Sequence, residues 1–424
     1  MQVEMQSNAS FDPTQGCRMI GASRVYHGIK DAFLILHSPP GCHSGLLLLK
    51  ALYDNADVRI AFSGMHPSRD FVYGAERKVL RAIEEVHRTF NPKLIAIVDC
   101  CAPAIIGDDL EAMLVEAKEK GVTSELLFFS GAGFQSSMWQ GYEEALASLA
   151  KFMEKGSTKA HPHSVNLLGF KDDEMRCEAD LFEIKRVLRG IGVKVNATLT
   201  SSKFDEIIKA PEAQLNLLLG GDGLRLAELM KDRYDIPYEV VDYPYGAEGT
   251  EKFLRTVCRA LGKKTDENFI YSEKEKVKSY VEKVHFYLQG IYGLPCAVIG
   301  DACKALSLAK FLSSEIGLDI KVLALTSKNF LFEERLREVS GMADEVMIEP
   351  DRIEMEQCIK DAGVQIIFGS TFDKRLANAA KAPLVRFSYP TIDSISLIDA
   401  PYAGFRGVST WLEFIINSLT SSYY

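Results

Sequence analysis

One unit recurs along this chain: a short run of β-branched and leucine residues, a Gly or Asp turn, then an amphipathic helical stretch. Apolar runs without polar alternation suit strands buried on both faces, and strands that alternate with helices pair in parallel. Such strands are expected at 94–98, 126–129, 165–168, 193–197, 215–219, 297–299, 322–325, 345–348, 365–368 and 384–387. Helices are expected at 109–120, 141–155, 173–189, 202–209, 223–233, 250–261 and 303–316, with a long exposed helix within 264–283. A length of 424 residues exceeds one ordinary core, since domains run to about 150 residues. The fold class is therefore α/β, with three Rossmann-like domains of parallel sheet flanked by helices. A polar stretch at 155–163 reads as a linker, and the expected domains are 1–158, 159–288 and 289–424.

The charge balance narrows the partners. With a net charge of -9 the chain has no overall basic field for a nucleic-acid backbone. No apolar run approaches the roughly 18 residues that a membrane span needs. The first residues are polar and lack a signal-peptide core. Nine scattered cysteines, an odd number, argue against a disulfide framework and for a reducing, cytoplasmic location.

Familiar catalytic signatures are missing. There is no P-loop, so no nucleotide is expected to bind directly, and no G-x-S-x-G, H-E-x-x-H or C-x-x-C occurs. Gly220-Gly221-Asp222-Gly223 follows a strand and opens a helix, a setting that can hold an anion. Leu226 replaces the last glycine of the dinucleotide fingerprint, however, and Gly300-Asp301-Ala302 has a single glycine. Both read better as tight turns. His161-Pro162-His163 reads as linker rather than metal pair, and His285 as a packed helix residue.

Three cysteines stand apart. Cys17 precedes the first helical pattern. Cys42 lies in His37-Ser38-Pro39-Pro40-Gly41-Cys42-His43-Ser44-Gly45, and Cys101 follows a strand in Asp99-Cys100-Cys101-Ala102-Pro103. Thiols at strand ends, beside Gly or Pro, suit an iron–sulfur cluster: the sulfur is accessible and backbone N–H groups can approach it. Buried structural cysteines are the alternative reading. Three thiols are one short of a four-cysteine site, so a cluster would need another ligand type or a partner subunit. Cys177, Cys258, Cys303 and Cys358 on helices, and Cys296 opening a strand, read as small buried hydrophobes. Cys100 is ambiguous, pointing away from Cys101 if the strand persists.

These motifs, with Phe71-Val72-Tyr73-Gly74-Ala75-Glu76, Ile236-Pro237-Tyr238, Pro244-Tyr245-Gly246 and Tyr402-Ala403-Gly404-Phe405-Arg406-Gly407, resemble the component 1 (dinitrogenase-type) subunits of nitrogenases and nitrogenase-like reductases. The resemblance covers nearly the whole chain in order, and the Cys17–Cys42–Cys101 spacing is more similar to the β-type (K) subunit than to the α-type. It implies an oxidoreductase subunit in which these three cysteines hold half of an iron–sulfur cluster, P-cluster-like [8Fe-7S] or [4Fe-4S]. A homologous α-like subunit in an αβ or α2β2 complex would supply the other half. Electrons would come from an ATP-dependent iron protein docking near Tyr73, and the partner subunit would hold the active site. Position 220, where α-type subunits carry a cofactor-anchoring cysteine, is glycine, and no histidine follows His285. The serine that can ligate the oxidised cluster in β-type subunits corresponds to Gly133. The implied reaction is that of a non-dinitrogen member, with methylthio-alkane reductase (reductive C–S cleavage) first. Tetrapyrrole reductases of the protochlorophyllide or F430 type and a cofactor-assembly scaffold are the alternatives.

Overall fold

The protein is described here by a computed structural model covering residues 14–53, 59–66, 68–153, 161–339 and 341–421. Its strands form three sheets, every pairing parallel. The first holds β1 (Ala32–His37), β2 (Ile60–Phe62), β3 (Leu94–Asp99) and β4 (Glu125–Phe129), in the order β2-β1-β3-β4. The second holds β5 (His161–Leu168), β6 (Lys194–Thr198), β7 (Ala213–Leu219) and β8 (Tyr238–Val241), in the order β6-β5-β7-β8. The third holds β9 (Pro295–Asp301), β10 (Asp319–Ser327), β11 (Ala343–Ile348), β12 (Ile366–Gly369) and β13 (Leu384–Arg386), in the order β11-β10-β9-β12-β13. Central strands are buried along their whole length in β1 and β3, as expected for sheets covered on both faces.

Seven helices build the first unit: α1 (Arg18–His27), α2 (Pro40–Tyr53), α3 (Asp70–Tyr73), α4 (Glu76–Phe90), α5 (Cys101–Ile106), α6 (Leu110–Glu119) and α7 (Met138–Ser148). Helix α7 starts earlier than its apolar pattern suggests, because Gln140 Oε1 accepts the Ser137 N–H and closes the first turn. It also stops at Ser148, followed by a 3₁₀ turn at Leu149–Lys151. Of the polar stretch 155–163, residues 155–160 lie outside the described ones, and His161–Leu168 is strand β5, so His161 and His163 belong to a strand. His285 is exposed rather than packed, pairing with Gln289 across one helical turn. Edge strands β2 and β8 have no counterpart among the expected runs, since three or four residues between polar neighbours leave too little periodicity to read.

The units are joined through buried side chains. Trp411, on the helix Gly404–Ser421, is fully buried and stacks on Tyr402 at 4.1 Å. It also meets Tyr245, Phe311, Phe368 and Phe387, so one C-terminal residue ties the second unit to the third. No helix of the described residues is long and apolar enough to cross a membrane.

Candidate metal centre

Parallel sheets present functional groups at the carboxyl ends of their strands, where the following helices begin. The three singled-out cysteines occupy that edge of the first sheet, each at a helix N-terminus. Cys17 is the residue before α1 and bridges Ser137. Cys42 lies in the first turn of α2, which follows β1, and Cys101 is the first residue of α5, which follows β3. Helix N-termini favour negative charge and hence thiolate or an anionic group bound by it.

Gly133, in the loop after β4, lies between two of them. A Cβ at this position would stand 3.7 Å from Cys17 Sγ and 3.5 Å from Cys101 Sγ, and 3.0 Å from Cys17 Cβ. The Gly133 N–H donates to Cys101 Sγ at 3.2 Å. Arg18 fixes this loop by donating to the Ser130 carbonyl at 2.7 Å and pairing with Glu144 at 2.6 Å. The Cys42 thiol is pushed up by partial burial and by the negative charge that Cys17 and Cys101 would carry, against a hydrogen bond with Cys100. All three thiols therefore share one neighbourhood, with Cys17 and Cys42 exposed and Cys101 half-buried.

Cys100 differs from them. Strand β3 ends at Asp99, so Cys100 caps α5 and turns inward, 3% exposed. Burial pushes its thiol up, and its side chain lies against Cys42 on the inner side of the site. Of the others, Cys258, Cys296 and Cys303 are buried, while Cys177 and Cys358 are half-buried.

The thiols are a chemically apt set for iron–sulfur ligation: soft donors, a backbone N–H on one sulfur, and no side chain on Gly133 to fill the space beside them. No three His, Cys, Asp or Glu side chains among the described residues converge tightly enough for a single ion.

Sequence reading missed the supporting residues. His37, the last residue of β1, has both ring nitrogens bonded: Nε2 to Asp108 at 2.8 Å and Nδ1 to Ser63 Oγ at 2.7 Å. Asp99 pairs with His37 in the sheet register and accepts the Gly131 N–H at 2.6 Å. Only their proximity in sequence to Cys42 and Cys101 could have flagged them. Tyr73 ends α3 and is 81% exposed, with Phe71 and Val72 also outward, an apolar strip beside α5.

The two candidate anion turns are filled by the protein itself. The Gly223 N–H that would meet a phosphate donates to Glu143 Oε1 at 2.5 Å, and Asp301 caps its own helix through the Lys304 N–H. Position 220 is equally closed: a Cβ on Gly220 would fall 2.4 Å from both the carbonyl oxygen and the sulfur of Cys303.

The family model of nitrogenase component 1 type oxidoreductases matches residues 17–420. The nitrogenase iron-molybdenum cofactor biosynthesis protein NifE of Clostridium pasteurianum is 27% identical over 373 residues, covering 86% of this chain and 79% of its own. The nitrogenase molybdenum-iron protein beta chain of Methanococcus maripaludis is 23% identical over 463 residues, covering 100% and 97%. A light-independent protochlorophyllide reductase subunit of Chlorella vulgaris is 24% identical over 422 residues, covering 95% and 82%. A solved structure described as nitrogenase Cp1 at pH 6.5 has a TM-score of 0.85 at 20% identity, covering 100% of this chain and 96% of that one, which establishes the fold.

Proposed function

The chain belongs to the nitrogenase component 1 type oxidoreductases, and from that premise we propose that it is a β-type subunit and half of an electron-relay site. Cys17, Cys42 and Cys101 are the thiolates that hold an iron–sulfur cluster, P-cluster-like [8Fe-7S] or [4Fe-4S], jointly with a homologous α-like subunit. When bound, such a cluster supplies one-electron transfer at a potential set by its ligands, N–H bonds and burial. Here Gly133 provides an N–H to Cys101 sulfur and the N-termini of α1, α2 and α5 favour the cluster's negative charge. The exposed strip ending in Tyr73 receives an ATP-dependent iron protein. The observation that carries this reading is Gly133 set between the Cys17 and Cys101 thiols, with Cys42 in the same neighbourhood at that strand-end edge.

Position 220 supports the rest of the assignment. A Cβ there would meet Cys303, so a cofactor-anchoring cysteine does not fit at this position, and on this reading reduction of substrate falls to the partner subunit. For that reaction we favour reductive C–S cleavage of a methylthio-alkane, on the three-cysteine β-type site. The similarity to the protochlorophyllide reductase subunit over 95% of the chain favours a second reading, a tetrapyrrole reductase. The similarity to NifE favours a third, a scaffold on which a cofactor matures.

The test is anaerobic co-purification with the α-like partner, followed by iron and sulfide analysis of wild type and Cys42→Ala. The expected outcome is iron in the wild type, its loss in Cys42→Ala, and an unchanged far-ultraviolet dichroism spectrum, because the sheet cores do not depend on that loop. Unchanged iron in the variant removes the ligand assignment. Supplying a methylthio-alkane, ATP and iron protein kept reduced by a chemical reductant should then release methanethiol and the alkane, two electrons and two protons being consumed per C–S bond. A complex that reduces a tetrapyrrole instead, or that only hands iron to an apo-reductase, selects the second or third reading.

A further inference from the structure

The exposed helix α3 and the two cysteine-bearing loops meet at one carboxylate. Asp108 follows α5 and remains tied to it through its N–H to the Pro103 carbonyl, at 3.2 Å. One oxygen of its side chain accepts the Ala75 N–H at 3.1 Å, immediately beyond α3 and Gly74. The other accepts from His37 Nε2 at 2.8 Å, and this pair is almost wholly buried. His37 closes β1, from which the chain turns directly into α2 and Cys42.

The local design keeps this junction tight. Gly74 has φ +78°, a left-handed conformation that glycine adopts readily, and a Cβ there would stand 3.1 Å from Asp108 Oδ1. Helix α3 is held as a body: Asp70 accepts the His66 N–H and the Lys78 ammonium, each at 2.6 Å. The far side of His37 is fixed by Ser63 at 2.7 Å. A push on α3 therefore moves the Ala75 amide against a carboxylate that is bonded to both β1 and α5. In a close-packed, water-poor setting such a linkage transmits displacement instead of absorbing it.

We propose that Asp108 is a positioning residue that couples occupancy of the α3 surface to the geometry of the Cys42 and Cys101 loops. The proposal rests on the docking reading of Tyr73 given above. It is tested on the purified complex by hydrogen exchange, with and without iron protein held in place by a non-hydrolysable ATP analogue. In wild type, docking protects 69–76 and changes exchange in 38–46 and 100–107. In Asp108→Ala the protection at 69–76 persists while both loop responses disappear. His37→Leu, which removes one arm, loses the 38–46 response and keeps that at 100–107. The neighbouring Asp109→Ala, which loses only the cap of α6, behaves as wild type. Iron content stays at the wild-type level throughout. Loop responses that survive in Asp108→Ala, or wild-type loops that ignore docking, overturn the proposal. Should Asp108→Ala not assemble, an intact 38–46 response in His37→Leu overturns it equally. Absence of protection at 69–76 in wild type fails the docking reading itself, a result distinct from the others.

Discussion

Glu143 illustrates how one buried carboxylate can replace an external ligand. It reaches from α7 to the N-terminus of the helix Leu224–Tyr234 and accepts N–H bonds from Gly223 and Arg225, at 2.5 and 3.4 Å. Burial, reinforced by the nearby Asp222 charge, nevertheless raises its pKa from 4.5 to about 8; the two N–H bonds and Lys171 only moderate the rise. The folded protein thus holds a proton that the unfolded chain releases above pH 4.5. Stability from this group is complete below that pH, and it declines as pH rises toward 8. Chemical denaturation of wild type and Glu143→Gln between pH 5 and 8 should show a shallower decline in the variant. Equal slopes would mean that Glu143 is ionised in the folded state. The Gly-Gly-Asp-Gly pattern gave no hint of this, because the filling carboxylate is remote in sequence.

At the scale of elements, the placement of Cys17 depends on how α1 meets α7. The helices touch backbone to backbone: a Cβ on Gly21 would lie 1.9 Å from the Met138 carbonyl oxygen, and one on Gly141 would lie 2.3 Å from that of Arg18. Neither glycine needs an unusual φ; both are required by contact. Gly21→Ala should force the helices apart, costing about 1–3 kcal/mol as overpacking does. Thermal unfolding would register the loss, and an unchanged midpoint would show that the helices have slack. Such contacts were not legible in the sequence, because they arise only where two separate helices meet. The βα alternation was legible, because strands such as Leu94–Asp99 are apolar on both faces and helices such as Leu110–Glu119 carry their own cap. The turns that carry Cys42 and Cys101 were legible for a related reason, their Gly and Pro neighbours marking strand-to-helix transitions. The Asp108–His37 pair was not, since its partners come together only when β1 and α5 are placed side by side.

In the whole molecule, the second and third sheets point their strand ends at a shared ionic centre. Lys171, which follows β5, pairs with Asp222 after β7 at 2.8 Å and with Asp301 at the end of β9 at 2.9 Å. Arg24 of α1 brings the first unit into the same region through Asp173, at 2.7 Å. Removing one member of a buried network strands the others, at a cost of roughly 3–5 kcal/mol. Lys171→Met should therefore lower the unfolding midpoint and speed hydrogen exchange in β7 and β9 before it affects β1 or β3. Uniform exchange across all three sheets would assign Lys171 no special part in joining them.

The Gly220–Cys303 contact bears on what can be engineered into this subunit. Grafting a cysteine at position 220 would not create a ligand, because the new sulfur would have to start from a Cβ lodged against the backbone of another helix. The obstacle is main chain, which no rotamer change can relieve. Making room for a side chain at position 220 would demand re-routing the start of the helix Ala302–Phe311, a change of scaffold and not of one side chain.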